Sequence, residues 1–553
     1  MLARIADLAP RRPWAFLAGT VVALATGVGV SLGATDELGV GSTRLADPPP
    51  RPVPATAELA VVLGGNGAGA DSRVFRVAEG VVRAQVVADP AIEGVKRVGR
   101  GREVVLVARF AEDASTADRQ QAASRLEESI DPGPLRAGVE GEVARLLDAR
   151  RKLTGDLWRS ELLVLPLALL IVAAAASPLR APAPALCAAL AVCGSLALLR
   201  LAGTVADVSL LGFGAAAAVG LVLGLEIPLM LLRRHDDELA LADDPTAMRR
   251  TVVEGGRAAI WIAVAAALAP LAGLVTPLEQ AGSLALGCAL AAGLAAAAAI
   301  VVVPAWLAAL ARMGRRGEPL ERSLGGSSPV ARIAASSVGT VAALVVALAA
   351  LAALASPLLE AVSAPFAAHT GAVLAIRHDQ DSLFPELPVP AAIAAGLCAA
   401  VAVAATRRPP LALAGPLPPL VAAAGLGACS FVFERGNLVD ALGLERQESL
   451  ATGAVAIAAC ALVSVAAGRS AGALVAIRDE RRLELSGSEV AEHAATLTLA
   501  PALAATLVGA IAAAAMVTTD LYPARELGFA LAAGLLFDLI LVRAPMLAFA
   551  ARR

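Results

Sequence analysis

The stretch VSLLGFGAAAAVGLVLGLEIPLMLL, residues 208–232, contains a single ionisable side chain, Glu226, among apolar and small residues. A helix needs about 20 mainly apolar residues to cross the hydrocarbon core of a bilayer, so this stretch is predicted to be a transmembrane helix. Further runs of similar length and character lie at 14–34, 161–178, 183–203, 258–275, 282–311, 338–361, 389–406, 411–433, 451–468, 496–518 and 527–549. The sequence therefore predicts a polytopic membrane protein with about twelve spans.

The composition supports the same class. Of the 553 residues, 58% are hydrophobic and 17% are charged, and the mean hydropathy is +0.72. Soluble proteins average roughly 45–50% apolar and about 25% charged residues. The net charge of −2 argues against a nucleic-acid partner. The six cysteines lie in apolar runs and the four histidines are scattered, so no metal site, disulfide framework or cofactor is expected. We also find no phosphate-binding or nucleophile–base motif, and the chain is not expected to be an enzyme.

The arginines of the short loops predict the orientation, because cytoplasmic loops carry an excess of Lys and Arg. If the N-terminus is cytoplasmic, the short external loops hold only Arg200, Arg377, Arg435, Arg446 and Arg525. We therefore expect a multi-pass protein of the cytoplasmic (inner) membrane with both termini cytoplasmic. As an alternative, residues 1–34 could be a cleaved signal peptide, since basic residues precede the apolar run.

The chain is predicted to divide into five parts. These are a first transmembrane helix at 1–34, an extracytoplasmic α+β domain at 35–157, transmembrane helices 2–6 at 158–312, a cytoplasmic linker at 313–337, and helices 7–12 at 338–553 with a reduced external segment at 361–388. In the external domain, the pattern predicts strands at 59–63, 103–110 and 135–139 that alternate with helices at 71–89, 116–129 and 142–153. The result is a small α+β domain.

An internal repeat is visible, because each half has a lone helix, an external segment and five more helices. Parallel six-helix repeats are a transporter architecture in which the working site lies between the halves. The predicted fold class is thus an all-α polytopic membrane protein made of two six-helix repeats, with one extracytoplasmic α+β domain.

Several segments resemble the MMPL family of lipid exporters. Residues 224–239, GLEIPLMLLRRHDDEL, resemble the family stretch G-V-D-Y-A-x-F-L-x-S-R-Y-R-E-E-L. Other similar segments are 156–162 (DLWRSEL), 206–209 (ADVS), 244–245 (DP), 255–258 (GGRA), 431–436 (FVFERG), 525–531 (RELGFAL) and 534–543 (GLLFDLILVR). The resemblance covers nearly the whole chain except for a second external domain.

The MMPL family lies within the resistance–nodulation–division (RND) superfamily of proton-driven transporters. The resemblance implies a ferredoxin-like porter domain at 55–156 and a proton relay between the fourth and tenth helices. The Asp-Tyr pair of the family's fourth helix falls on Glu226 and Ile227. The second Asp-Tyr pair falls on Gly468 and Arg469, which is a departure from the family pattern.

Glu226 is the first candidate for a proton relay. An ionisable group in a membrane helix is costly and is a functional candidate by default. The alternative is a carboxyl that only meets a polar neighbour or a water-filled pocket. For Arg469, one interpretation is that the helix ends there and the guanidinium reaches the surface. The other is an ion pair with Glu226 that holds the carboxylate ionised and replaces the relay.

Glycines support the ion-pair hypothesis. Gly220 and Gly224 are spaced four residues apart, as are Gly468 and Gly472, and such pairs allow close helix packing. We therefore expect the fourth and tenth helices to approach each other through these glycines.

Asp538 and Arg543 are the other charges inside predicted spans, and a local pair between them is favoured over a relay.

The predicted function is an MMPL-like transporter that exports a lipid or hydrophobic compound, driven by protons through Glu226. The alternative is a non-transporting relative that acts as a membrane scaffold or accessory subunit, with the Glu226–Arg469 pair in place of the relay. Expected partners are membrane lipids, a hydrophobic substrate and either a second copy of the chain or an accessory protein. The identity of the substrate does not follow from any motif.

Overall fold

The structure is a computed structural model. It describes residues 2–31, 59–64, 73–98, 103–144 with short breaks, 166–204, 208–209, 211–276, 281–314, 388–433, 452–481, 487–517 and 522–539. It is mostly helical and divides into two compact units, one that contains the apolar helices and one that contains a small sheet. In chain order the helices are α1 (Leu2–Leu8), α2 (Pro13–Ser31), α3 (Arg73–Val87), α4 (Thr116–Ser129), α5 (Pro166–Ala176), α6 (Pro182–Gly203), α7 (Leu211–Leu239), α8 (Asp244–Arg250), α9 (Gly256–Leu268), α10 (Ala281–Arg312), α11 (Pro388–Thr406), α12 (Leu417–Phe433), α13 (Thr452–Glu480), α14 (Gly487–Val517) and α15 (Tyr522–Phe537).

Within these described ranges, nine helical segments are long and apolar enough to cross a membrane. They correspond to nine of the predicted runs, and the polytopic membrane fold is confirmed. The run at 161–178 is represented by the shorter helix α5, and the run at 527–549 by α15. The run at 338–361 lies outside the described residues, so the count of twelve spans stays a prediction, as do the orientation and the membrane.

Several spans are not uniform α-helices. Residues Asp244–Val275 form one candidate span in which α8 leads through a π-helical turn, Thr251–Gly255, into α9 and ends in a 3₁₀ segment, Ala269–Val275. Helices α7, α10 and α14 each contain an internal proline: Pro228, Pro304 and Pro501, respectively. Proline lacks an N–H, so each removes one backbone hydrogen bond from its helix.

The two halves of the helical unit meet along α7 and α13. Helix α7 packs against α6 and α10 of its own half and against α13 and α14 of the other half. Helix α9 also packs against α13. The faces in contact are rich in alanine and glycine, and small residues let helices in lipid approach closely. This arrangement makes α7 the most buried of the candidate spans.

The small unit is a four-stranded antiparallel sheet with two helices. Its strands are β1 (Leu59–Gly64), β2 (Ile92–Val98), β3 (Glu103–Phe110) and β4 (Arg136–Glu140), in the spatial order β2-β3-β1-β4. The three predicted strands are present as β1, β3 and β4, and the sequence prediction missed β2, which lies between α3 and β3. The element order is thus strand, helix, strand, strand, helix, strand. The predicted helix at 142–153 lies almost wholly outside the described residues.

Apolar side chains from β1, β3 and both helices form the core of the small unit. Phe75 and Val82 of α3, Leu106 of β3 and Leu126 of α4 are at most 2% exposed. An ion pair closes one end of this core, where the Arg125 guanidinium donates to both oxygens of Asp89 at 2.9 and 3.0 Å. Asp89 also accepts a hydrogen bond from the backbone N–H of Ala91 at 3.0 Å.

Candidate functional site

Arg469 lies in the interior of α13 and is 1% exposed. The helix continues for eleven residues beyond it to Glu480. The interpretation in which the helix ends at Arg469 and the guanidinium reaches the surface is therefore wrong. The residues on both sides, from Ala466 to Ile477, are mainly apolar or small, and the helix continues through this position.

Arg469 forms the predicted ion pair with Glu226. Its Nε–H donates to Oε2 of Glu226 at 2.7 Å. Glu226 is 4% exposed and comes from α7 of the first half, two residues before Pro228. The two charges are thus joined across the interface between the halves.

Asp538 is a second carboxylate on the same guanidinium. The Nη1–H of Arg469 donates to Oδ2 of Asp538 at 2.8 Å, and Asp538 is 3% exposed. The Asp538 carboxylate therefore has a partner on α13, and its expected local pair with Arg543 stays a prediction. Arg543 itself lies outside the described residues. Asp538 follows the last residue of α15 and starts a π-helical turn, a feature that often occurs at functional sites.

Helix α14 completes the set of partners. The Nη2–H of Arg469 donates to Thr506 Oγ1 at 2.8 Å and to the backbone oxygen of Ala502 at 3.4 Å. The sequence interpretation missed Thr506, since a threonine in an apolar helix carries no distinctive pattern. Four helices, α7, α13, α14 and α15, therefore converge on one guanidinium.

The glycines do not pack as predicted. A Cβ on Gly220 would lie 3.2 Å from the backbone of Ala191, and one on Gly224 would lie 2.6 Å from Ala188 Cα, both in α6. The expected contact between the glycines of α7 and α13 is wrong.

Gly468 and Gly472 lie against a different helix, where a Cβ would meet Ile262 of α9 at 3.1 Å and 2.9 Å. The glycines of α7 and α13 thus seat each helix against a neighbour in the first half. The ion pair forms on another face.

Among the residues that the structure describes, the carboxylates at this site outnumber the guanidinium groups. Two carboxylates, Glu226 and Asp538, face one guanidinium, and arginine stays protonated in proteins. With both acids ionised, the cluster has a formal charge of −1 in surroundings from which water is largely excluded. An uncompensated charge at such depth is costly. Uptake of one proton by either carboxylate brings the formal charge to zero.

The described residues contain no group of His, Cys, Asp and Glu side chains that could hold a metal ion. All six cysteines are free thiols. The groups that meet Arg469 are two carboxylates and a hydroxyl, and such groups can exchange protons and hydrogen-bond partners.

No protein-family model matches the chain. No curated protein matches it either.

Solved structures do match. The structure of SecDF from Thermus thermophilus, described as a translocon-associated membrane protein, aligns with a TM-score of 0.57 at 12% identity, over 96% of this chain and 98% of that one. A structure of SecDF in a super-membrane-facing form aligns with a TM-score of 0.54 at 15% identity over the same shares. The chain has the fold of SecDF. At this level of identity the comparison shows a SecDF-like fold alone.

Proposed function

We propose that the chain is an RND-type secondary transporter in which Glu226, Asp538 and Arg469 couple proton movement to rearrangement of the two halves. The observation that supports this proposal is the presence of two buried carboxylates on one guanidinium. A site with one spare negative charge can bind one proton and become neutral. Since its members come from both halves, the protonation state bears directly on how the halves pack.

Proton uptake would weaken one of the two contacts of Arg469. A protonated Glu226 no longer attracts the guanidinium as an ion, and Arg469 would then be held mainly by Asp538 and Thr506. Protonation of Asp538 would have the converse effect. The proton thus selects between two sets of partners on α7 and α15, and this is the two-state element that coupled transport requires.

The proposed cargo is a lipid or another hydrophobic compound, as the sequence resemblance to MMPL exporters implies. We also propose that the small unit is a porter domain with a ferredoxin-like fold, and its strand order β2-β3-β1-β4 and its two helices support this proposal.

The test is proton flux in vesicles that contain the purified full-length protein and a pH-sensitive dye. Glu226→Gln and Asp538→Asn each leave one carboxylate to neutralise Arg469, so both variants should fold but should take up no protons. Glu93→Gln, which removes a carboxylate from an exposed ion pair with Arg109 on the small unit, is the matched control and should retain flux. Undiminished flux in Glu226→Gln would contradict the proposal.

A second candidate is a non-transporting accessory subunit in which the same cluster is a static ion pair. The four hydrogen bonds that hold Arg469 favour it, and SecDF itself is described as translocon-associated. For an accessory subunit, the wild-type protein would carry no proton flux, while Glu226→Gln would still lower its thermal stability.

A further inference from the structure

A second charged cluster lies at the other end of the same helix faces. Glu226 and Asp237 of α7 are eleven residues apart, as are Arg469 and Glu480 of α13. Eleven residues are close to three helical turns, so each pair lies on one face with a separation of about 16 Å. Asp237 and Glu480 therefore stand in line with the Glu226–Arg469 pair, at the end of the helices that the sequence predicts to be cytoplasmic.

His493 of α14 lies beside these two carboxylates. Its Nδ1 is 3.9 Å from Oε2 of Glu480, and its charge also acts on Asp237. The imidazole and Asp237 are exposed, whereas Glu480 is 7% exposed. A hydrogen bond also joins α7 to α14 in this region, because the Arg233 Nη1–H donates to the backbone carbonyl of Thr496 at 3.3 Å. His493 thus lies where the first half contacts the second half.

The nearby cations are mostly engaged by other acids. Arg234 pairs with Glu254 and lies 3.7 Å from Glu238, and Arg250 lies 3.4 Å from the same glutamate.

Arg180 binds Asp236 at 2.6 Å. The charges that face His493 are therefore Asp237 from α7, Glu480 from α13 and Glu489 one turn earlier on its own helix, with Arg233 and Arg234 further along α7.

We propose that Asp237, Glu480 and His493 form a pH-responsive gate at the cytoplasmic end of the proton path. The inference rests on the proposed function and extends it, because it assigns to the path a second set of residues three turns from Glu226. A protonated His493 attracts both carboxylates and closes the junction between α7, α13 and α14. With a neutral His493 this attraction is lost, only Arg233 and Arg234 offset the repulsion between Asp237 and Glu480, and the junction loosens. Histidine suits this role since it changes charge between about pH 5 and 8.

The first experiment measures hydrogen exchange at the gate without any need for transport. Backbone amides of residues 474–481 and 487–496 in the full-length protein are followed between pH 5.5 and 8, with correction for the intrinsic pH dependence of exchange. The wild type should exchange more slowly at the acidic end of this range. His493→Gln should lose that difference. His235→Gln is the matched control and should keep it, because His235 contacts Thr251 and Asp244 within the first half only.

The second experiment measures proton flux in vesicles as the pH on the predicted cytoplasmic side is varied. The wild type should show a pH-dependent change in flux, and His493→Gln should carry flux without that change. Glu226→Gln should carry no flux yet should retain the pH-dependent exchange at the gate.

These outcomes separate the two proposals. A pH-dependent difference in exchange that persists in His493→Gln overturns the gate and leaves the proposed function intact. Absence of flux in the wild type overturns the proposed function and, with it, the place of this cluster on a proton path.

Discussion

The Nε–H of Arg469 donates to Oε2 of Glu226 at 2.7 Å. This hydrogen bond joins α13 to α7 through two residues that are 243 positions apart in the chain. Neither side chain reaches water, since both are at most 4% exposed. A charge in this position is tolerated only when its partner is present. The stability of the helical unit and its proposed activity therefore depend on the same contact.

Replacing Arg469 with Leu should destabilise the protein more than any single change of its partners. Glu226 and Asp538 would be left as two buried like charges, and removal of one partner of a buried pair costs about 3–5 kcal/mol. The thermal unfolding of the full-length protein in detergent measures this loss. The triple variant Arg469→Leu, Glu226→Gln, Asp538→Asn removes all three charges and should unfold at a higher temperature than the single variant. A single variant as stable as the triple would show that the charges do not interact as the structure indicates.

Arg469→Lys should keep the charge but lose the coupling. A lysine ammonium is a compact charge on a flexible stem and cannot reproduce the planar fork that reaches α7, α14 and α15 at once. We expect the variant to fold and to lose proton flux, with thermal stability between those of wild type and Arg469→Leu. Flux at the wild-type level would show that the positive charge suffices without the fork.

Gly224→Ala tests the contact between α7 and α6. The added Cβ would lie 2.6 Å from Ala188 Cα, so the helices must separate, and overpacking of this kind costs about 1–3 kcal/mol. Gly293→Ala in α10 is the control, because a Cβ there meets nothing within 4 Å. Its thermal stability should be unchanged or higher, since alanine favours helix over glycine by up to about 1 kcal/mol. Equal effects of the two substitutions would contradict the packing described for Gly224.

Asp89 should make the small unit sensitive to acid. Burial alone would raise the pKa of Asp89, but the hydrogen bonds from Arg125 and Ala91 and the charge of Arg125 outweigh it and hold the pKa below its ordinary value. A carboxyl with a lowered pKa contributes stability above its unfolded pKa of about 3.9 and loses that contribution as the pH falls through the folded value.

Asp89→Asn should accordingly weaken the small unit at pH 7 by about 1 kcal/mol, a modest figure because the Arg125 side chain is half exposed. Proteolysis or hydrogen exchange of residues 73–130 in the full-length protein measures the change. As the pH falls through the lowered pKa of folded Asp89, the variant and the wild type should converge. A difference that persists undiminished at acidic pH would assign the effect to packing instead of charge.

The sequence predicted the spans well because length and apolar character are direct requirements of a bilayer. It also predicted the Glu226–Arg469 pair, since charges buried in lipid need partners. It could not identify Asp538 as the second carboxylate, because nothing in the pattern indicates which side of the last helix faces α13. The sequence likewise did not indicate that Thr506 of α14 faces Arg469.

Two other errors have local causes. Strand β2 was missed because its alternation is broken by Gly94 and Lys96 and its pairing with β3 shifts register between Ile92 and Gly94. The glycine spacing correctly predicted close packing but could not specify the neighbour. Gly224 contacts α6 and Gly472 contacts α9. The four-residue spacing therefore predicts that a neighbouring helix packs closely against the glycines, but it does not predict which helix.

The permanent charge of Arg469 sets a thermodynamic ceiling on the proposed transporter. A second proton at Glu226 and Asp538 would leave the guanidinium uncompensated, so each cycle can exchange one proton. One elementary charge that crosses 100 mV releases about 2.3 kcal/mol, and each 1.4 kcal/mol corresponds to a factor of ten, so one cargo molecule per proton can be concentrated roughly 40-fold per 100 mV. A cargo that leaves by partition into lipid or onto an acceptor, instead of accumulating against a steep gradient, is compatible with so small a driving force.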